Sequence, residues 1–215
     1  MASCTCVYLH GFLSSQQSQK GQWFKETLPT LLQAQPLAHH CQVLTPDYPM
    51  SNPHESVDYL EHFLKQAGLF ESGSNDKWFF AGSSMGGFYA QYLAHAYNKP
   101  YIMINPALDP MALFEEYEGE HINPYTSEKV LINQDYRMDL KDYYQHPSQM
   151  IPSLLLLDKG DEVIDYQLAE RLYNVKEGLH KTLVFEGGDH RFQHLEASKE
   201  LIKQFIQEAV FQQSS

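Results

Sequence analysis

The stretch Trp78-Phe79-Phe80-Ala81-Gly82-Ser83-Ser84-Met85-Gly86-Gly87 constrains this chain more than any other. An apolar run enters a Gly-x-Ser-x-Gly turn, and the helix-forming segment Phe88–Ala94 follows at once. The pattern predicts a buried strand, a tight turn and a helix. A serine at the centre of such a turn has a strained backbone, and its hydroxyl stands clear of the sheet. A side chain at Gly82 or Gly86 would collide with the neighbouring strand or helix, so both positions must be small. The free N–H groups that open the helix favour negative charge developing beside them. Five residues alone also fit an ordinary strand-to-helix turn with a serine cap. The rest of the chain has to decide.

The remaining pattern alternates strands with helices. Strands are predicted at Thr5–His10, Gln42–Thr45, Trp78–Ala81, Tyr101–Ile104, Ser153–Leu157 and Thr182–Phe185. Helices are predicted near Gln22–Ala34, at Pro53–Phe70, from the turn to about Tyr97, at Tyr166–Tyr173 and at Leu195–Phe211. In Pro53–Phe70 the apolar positions Val57, Leu60, Phe63 (or Leu64) and Ala67 recur at three- and four-residue steps. Strands separated by helices imply an α/β class: a mostly parallel sheet of about six strands, with helices on both faces. Continuous apolar strands such as Ser-Leu-Leu-Leu-Leu suit burial on both sides. At 215 residues the chain is read as one domain, 1–215. Residues 107–152 break the rhythm. They are polar, acidic and Tyr-rich, with little strand character, and are read as a small lid inserted over the strand ends, where ligands of open α/β sheets bind.

Charge narrows the partners. Fifteen basic against 27 acidic residues give a net charge of −12, which argues against nucleic acid or an anionic membrane. No apolar run approaches the length of a membrane span, and no charged-then-apolar leader opens the chain. Three cysteines, an odd number, fit a reducing cytoplasm. Cys4-Thr5-Cys6 places two thiols on one face of a strand, which reads as core or edge packing. The histidines, His39-His40 included, lack metal-ligand spacing with nearby carboxylates. Neither a metal nor another cofactor is expected. The polar tail Gln212–Ser215 is expected to fray.

A serine is a weak nucleophile without a base. Behind the last strand comes Phe185-Glu186-Gly187-Gly188-Asp189-His190, where two glycines let the loop turn back over the strand ends. His190 is the expected base. His194 is the fallback, though it is read as opening the last helix. An imidazole needs a carboxylate to fix its tautomer. Asp158-Lys159-Gly160-Asp161-Glu162 follows the fifth strand, and Asp161 is the expected partner. Asp165 is its rival, and Asp158 is read as shaping the turn. An oxyanion needs donors: the Met85 N–H after the serine, and the Phe12 N–H in His10-Gly11-Phe12-Leu13-Ser14, with Leu13 second. His10 and Ser14 are read as loop braces.

These pieces resemble the α/β-hydrolase superfamily over almost the whole chain. More narrowly, they are similar to the small bacterial YqiA-type esterases. The resemblance rests on Tyr8-Leu9-His10-Gly11-Phe12, Thr45-Pro46-Asp47-Tyr48-Pro49, Gly82-Ser83-Ser84-Met85-Gly86-Gly87, Ile104-Asn105-Pro106-Ala107, Asn123-Pro124-Tyr125-Thr126, Gly160-Asp161-Glu162-Val163 and Gly188-Asp189-His190. It implies a cytoplasmic serine carboxylic-ester hydrolase for short acyl esters, with Ser84, Asp161 and His190 as triad and no metal. Relatives often carry a basic residue soon after Asn-Pro-Ala, where this chain has Asp109. A thioesterase or other acyl hydrolase would use the same residues. The other class open to this scaffold is a non-catalytic binding protein.

Overall fold

The fold is described from a computed structural model, for residues 3–33, 40–70, 77–173 and 179–212. Ala34, His39 and the tail 213–215 lie outside the described residues. In chain order the elements are β1 (Ser3–Leu9), α1 (Gln19–Gln33), β2 (His40–Leu44), α2 (Pro53–Gln66), β3 (Lys77–Ser84), α3 (Met85–Tyr97), β4 (Tyr101–Pro106), α4 (Pro110–Leu113), β5 (Gly119–Ile122), β6 (Lys129–Ile132), α5 (Gln134–Leu140), β7 (Ser153–Asp158), α6 (Tyr166–Tyr173), β8 (His180–Phe185) and α7 (Lys199–Ile206). Six strands form one sheet in the order β2-β1-β3-β4-β7-β8, and every pairing within it is parallel.

Alternation along each strand divides the core in two. Cys4, Cys6 and Tyr8 of β1, Phe79 and Ala81 of β3, Ile102 and Ile104 of β4, and Leu154 and Leu156 of β7 face α1 and α7. The intervening Val7, Leu9, Phe80, Tyr101, Met103, Leu155 and Leu157 face α2, α3 and α6. The two faces explain the unbroken apolar runs, because β4 and β7 are buried along their whole length and β3 is buried between Lys77 and Ser84. Local rules set the helix ends. Asn52 caps α2 by accepting the N–H groups of His54 (2.8 Å) and Glu55 (3.2 Å), and Pro53 opens the helix with its φ already fixed. This helix stops at Gln66 rather than Phe70, just before Gly68 at φ +71°.

Two expectations need correction. Residues 107–152 hold an antiparallel hairpin, β5 with β6, besides α4 and α5. Val130 and Ile132 point into the core while Glu120, Ile122, Lys129 and Leu131 lie on the opposite face. Four-residue strands among many charges give too short an alternation to stand out. The closing helix starts at Lys199, not Leu195, and it ends in a π turn at Gln207–Phe211.

The chain leaves β1 toward one edge of the sheet, then returns to build the other side from β3 outward. The carboxyl ends of β1 and β3 therefore flank a switch in strand order, the crevice where open α/β sheets present their sites. None of the described helices is long and apolar enough to cross a membrane.

Three imidazoles impose a pH limit. Burial lowers the pKa of His10, His95 and His180, in each case against smaller opposing hydrogen-bond contributions. Below the ordinary imidazole value near ~6.5, the unfolded chain binds protons that the folded chain refuses. Stability should therefore fall as pH drops through that value and level off near neutrality. Thermal melts from pH 5 to 8 at about 0.15 M salt, where surface repulsion is screened, check this; a melting temperature that climbs toward pH 5 would contradict it.

Candidate active site

The site grows from the end of β3. Ser84 has φ 54° and ψ −125°, a conformation that a residue with a side chain rarely adopts. Close packing enforces it. A Cβ on Gly82 would lie 2.1 Å from the Gly86 carbonyl oxygen, and one on Gly86 would lie 2.1 Å from the Leu9 carbonyl oxygen. The strand register to β4 shifts between Ser83 and Ser84, and the Ser84 carbonyl accepts the Ala107 N–H at 3.1 Å. The helix that begins at Met85 leaves its first N–H groups without acceptors inside the helix.

His190 stands over this turn. Its Nε2 is 3.1 Å from Ser84 Oγ, and its Nδ1 is 3.0 Å from each carboxylate oxygen of Asp161. A carboxylate accepts a hydrogen bond from Nδ1–H, which leaves the Nε2 lone pair to accept from the serine hydroxyl. Asp161 is fixed as an acceptor, since its Oδ1 also receives the N–H groups of Val163 (2.9 Å) and Ile164 (2.8 Å). Its side chain is 1% exposed against 24% for that of His190, so the hydrogen-bonded chain runs from the interior to the surface. The structure thus brings Ser84, His190 and Asp161 together. Asp165 instead holds the start of α6, accepting the Gln167 N–H at 2.9 Å. Asp158 faces His194 at 2.6 Å, and His194 does not open α7.

The loop after β1 crosses the turn. A Cβ on Gly11 would meet Ser84 Cβ at 3.3 Å. Leu13 sits at φ 51°, so the loop reverses immediately after Phe12. Among the described residues, no backbone acceptor takes the Phe12 N–H. The ring of Phe12 packs edge-on against Phe114, with centroids 4.9 Å apart, and against His121 at 5.8 Å. His10 is buried behind the loop. Its Nδ1–H donates to the Gly11 carbonyl (3.1 Å), its ring stacks on Tyr48 at 4.5 Å, and the Tyr48 hydroxyl donates to its carbonyl (2.6 Å).

Several supporting residues have no assigned role in the sequence reading, although Asn105, Asn123 and Glu162 stand in the motifs quoted there. Asn123 binds its own turn through Oδ1, and its Nδ2 donates to the Ser14 carbonyl at 2.8 Å, tying the hairpin to the loop after β1. Glu128 accepts the N–H groups of Met50 (2.8 Å) and Ser51 (2.9 Å). Asn105 joins two loops: its Oδ1 accepts the Asp158 N–H (2.9 Å) and its Nδ2 donates to the Asp189 carbonyl (3.0 Å). Glu162 accepts the N–H of His190 itself (3.0 Å). Lys20 donates to the Arg191 carbonyl (2.9 Å), and burial pushes its ammonium down to about 8. A buried polar residue closing an apolar strand, as Asn105 closes β4, was the available signal.

Solved structures share this architecture. Est1E from Butyrivibrio proteoclasticus, solved with ferulic acid bound, superposes with a TM-score of 0.70 at 17% identity, covering 95% of this chain and 88% of that one. A monoacylglycerol lipase from Paleococcus ferrophilus superposes at 0.66 with 16% identity, covering 95% of this chain and 94% of the other. The esterase domain of a Rhodothermus marinus protein superposes at 0.64 with 15% identity, covering 95% and 86%. At such identities the likeness is one of fold, and the fold is that of the α/β-hydrolases. In sequence, residues 5–207 match the family described as "Uncharacterised protein family (UPF0227)". The chain is therefore a member of the UPF0227 family, built on the α/β-hydrolase fold.

Proposed function

We propose that this protein is a serine carboxylic-ester hydrolase acting on short acyl esters through Ser84, His190 and Asp161. The observation behind the proposal is the unbroken hydrogen-bonded chain from Asp161 to His190 Nδ1, and from His190 Nε2 to the hydroxyl of a strained Ser84. In the first half-reaction Ser84 Oγ attacks the acyl carbonyl while its proton passes to His190 Nε2. The N–H groups of Phe12 and Met85 receive the oxyanion. The tetrahedral adduct collapses, and His190 returns the proton to the departing alcohol. Water then gives a proton to His190 and adds to the acyl-enzyme. The second adduct breaks the Ser84–acyl bond, releases the acid and restores the hydroxyl. Asp161 holds the imidazole in the required tautomer and stabilises its cation throughout.

Esterases and a lipase among the superposed structures agree with this reading. Residues 107–152 act in it as a docked cover. Their core residues Phe114, Val130, Ile132 and Tyr136 belong to the same cluster as Val7 and Leu9, and Asn123 fastens the hairpin to the donor loop.

The test is a panel of p-nitrophenyl esters from acetate to decanoate, with matched thioesters and anilides in parallel. Turnover should be greatest for short oxygen esters. A strong preference for thioesters would keep the triad and change the substrate class. Absence of turnover on the whole panel by folded protein would favour a binding protein on this scaffold.

A further inference from the structure

Beside the Asp161–His190 pair the same two loops hold a second carboxylate–imidazole pair, and nothing in the proposed reaction uses it. Asp158 ends β7 and is fully buried. Its Oδ1 lies 2.6 Å from His194 Nδ1, and its Oδ2 accepts the N–H groups of Gln193 (2.8 Å) and Asp189 (3.3 Å). An isolated buried carboxylate is costly, and three converging donors offset that cost. Two of those donors belong to residues that bracket His190. The approach is close enough to demand glycine, since a Cβ on Gly188 (φ +73°) would fall 1.8 Å from Asp158 Oδ2. His194 is held as firmly: its ring stacks on Phe185 with centroids 4.6 Å apart and planes 4° from parallel.

We infer that Asp158 and His194 are a positioning pair, which fixes the loop carrying His190 at proton-transfer distance from Ser84. This rests on the esterase reading given above. The His190 loop has no regular secondary structure, and Phe192 is forced to φ 60°, so its backbone needs outside holds. Asn105 takes the Asp189 carbonyl, Glu162 the His190 N–H and Lys20 the Arg191 carbonyl. Asp158 alone takes two N–H groups, on either side of His190. It does so in this geometry with His194 Nδ1 donating to its other oxygen. Without that donor, Oδ1 must seek water or another N–H, and Asp158 swings with the two N–H groups it holds. A displacement of about 1 Å at a reacting group can cost on the order of 100-fold in rate.

The test uses two variants of the full chain. His194→Phe keeps the stacked ring on Phe185 and deletes the donor. His194→Asn loses the ring but puts an amide N–H where Nδ1 was. On p-nitrophenyl acetate, His194→Phe should lose about 10- to 100-fold in kcat with KM within about twofold of wild type, and His194→Asn should recover most of that loss. The low-field Nδ1 proton resonance of His190, identified by its absence in His190→Ala, should broaden in His194→Phe and return in His194→Asn. The pairing idea is overturned if His194→Phe keeps wild-type kcat and the His190 resonance, or if His194→Asn fails as badly as His194→Phe. An inactive wild-type protein would sink the esterase reading instead, and the resonance would still judge the pair.

Discussion

Replacing Ser84 with alanine should reduce ester turnover by on the order of 10⁶-fold, with no loss of folded protein. Such a magnitude belongs to a nucleophile and base that act as one unit, because removing either costs about as much as removing both. His190→Ala should therefore match Ser84→Ala, and the double variant should be little worse than either. Stability should move little, and in the favourable direction if at all. Ser84 is held at φ 54° by its neighbours, and alanine adopts that conformation with no more difficulty. A hydroxyl that merely capped α3 would give the opposite pattern: a less stable protein with its chemistry intact. No side-chain capping bond is made by Ser84, which already weighs against the cap.

Gly86→Ala should be among the most damaging single methyl additions in the molecule, alongside Gly82→Ala. The added carbon would sit 2.1 Å from the Leu9 carbonyl oxygen and 2.5 Å from that of His10. Both are backbone atoms of the central sheet and the loop after β1, so no side-chain rotation relieves the overlap. Ordinary overpacking costs roughly 1–3 kcal/mol, and a backbone clash of this depth should exceed ~4 kcal/mol. For a chain of this size that corresponds to a fall of more than about 10 °C in melting temperature. Gly11→Ala is the control. Its methyl group would meet Ser84 Cβ at 3.3 Å and Oγ at 3.8 Å, a contact that small shifts accommodate. It should fold nearly as well as wild type and lose activity by crowding the hydroxyl. Thermal melts and kcat on the two variants separate damage to the fold from damage at the hydroxyl.

Much of the architecture could be read from the chain because burial on both faces leaves a visible trace. The runs Trp-Phe-Phe-Ala and Ser-Leu-Leu-Leu-Leu are central strands, and Tyr166–Tyr173 is a helix with the expected bounds. The hairpin at Gly119–Ile132 was hidden because its stabilising contacts are tertiary. Val130 and Ile132 pack on a core assembled from distant segments. The start of α7 was hidden for a similar reason, since residues 189–198 are shaped by Asp158 and Asn105 rather than by their own propensity.

At the candidate site, Ser84, Asp161 and His190 stood out through chain order and through position at strand ends, both of which are local signals. The residues that hold them did not. Asn105, Asn123 and Asp158 each join segments far apart in sequence, with separations of 84, 109 and 36 residues in their bonds to Asp189, Ser14 and His194. Nothing near them in the chain marks those partners. His194 shows the difficulty most clearly. Sequence offered it as a helix opener or a spare base, whereas its partner is the carboxylate that had been read as shaping a turn.

The most direct measurement is the intact mass and peptide map of the folded protein after treatment with a fluorophosphonate. One adduct per chain on Ser84, absent from Ser84→Ala and slowed by orders of magnitude in His190→Ala, is the expected result. Labelling elsewhere, or equal labelling of wild type and His190→Ala at Ser84, would mean that the imidazole 3.1 Å from that hydroxyl does not activate it.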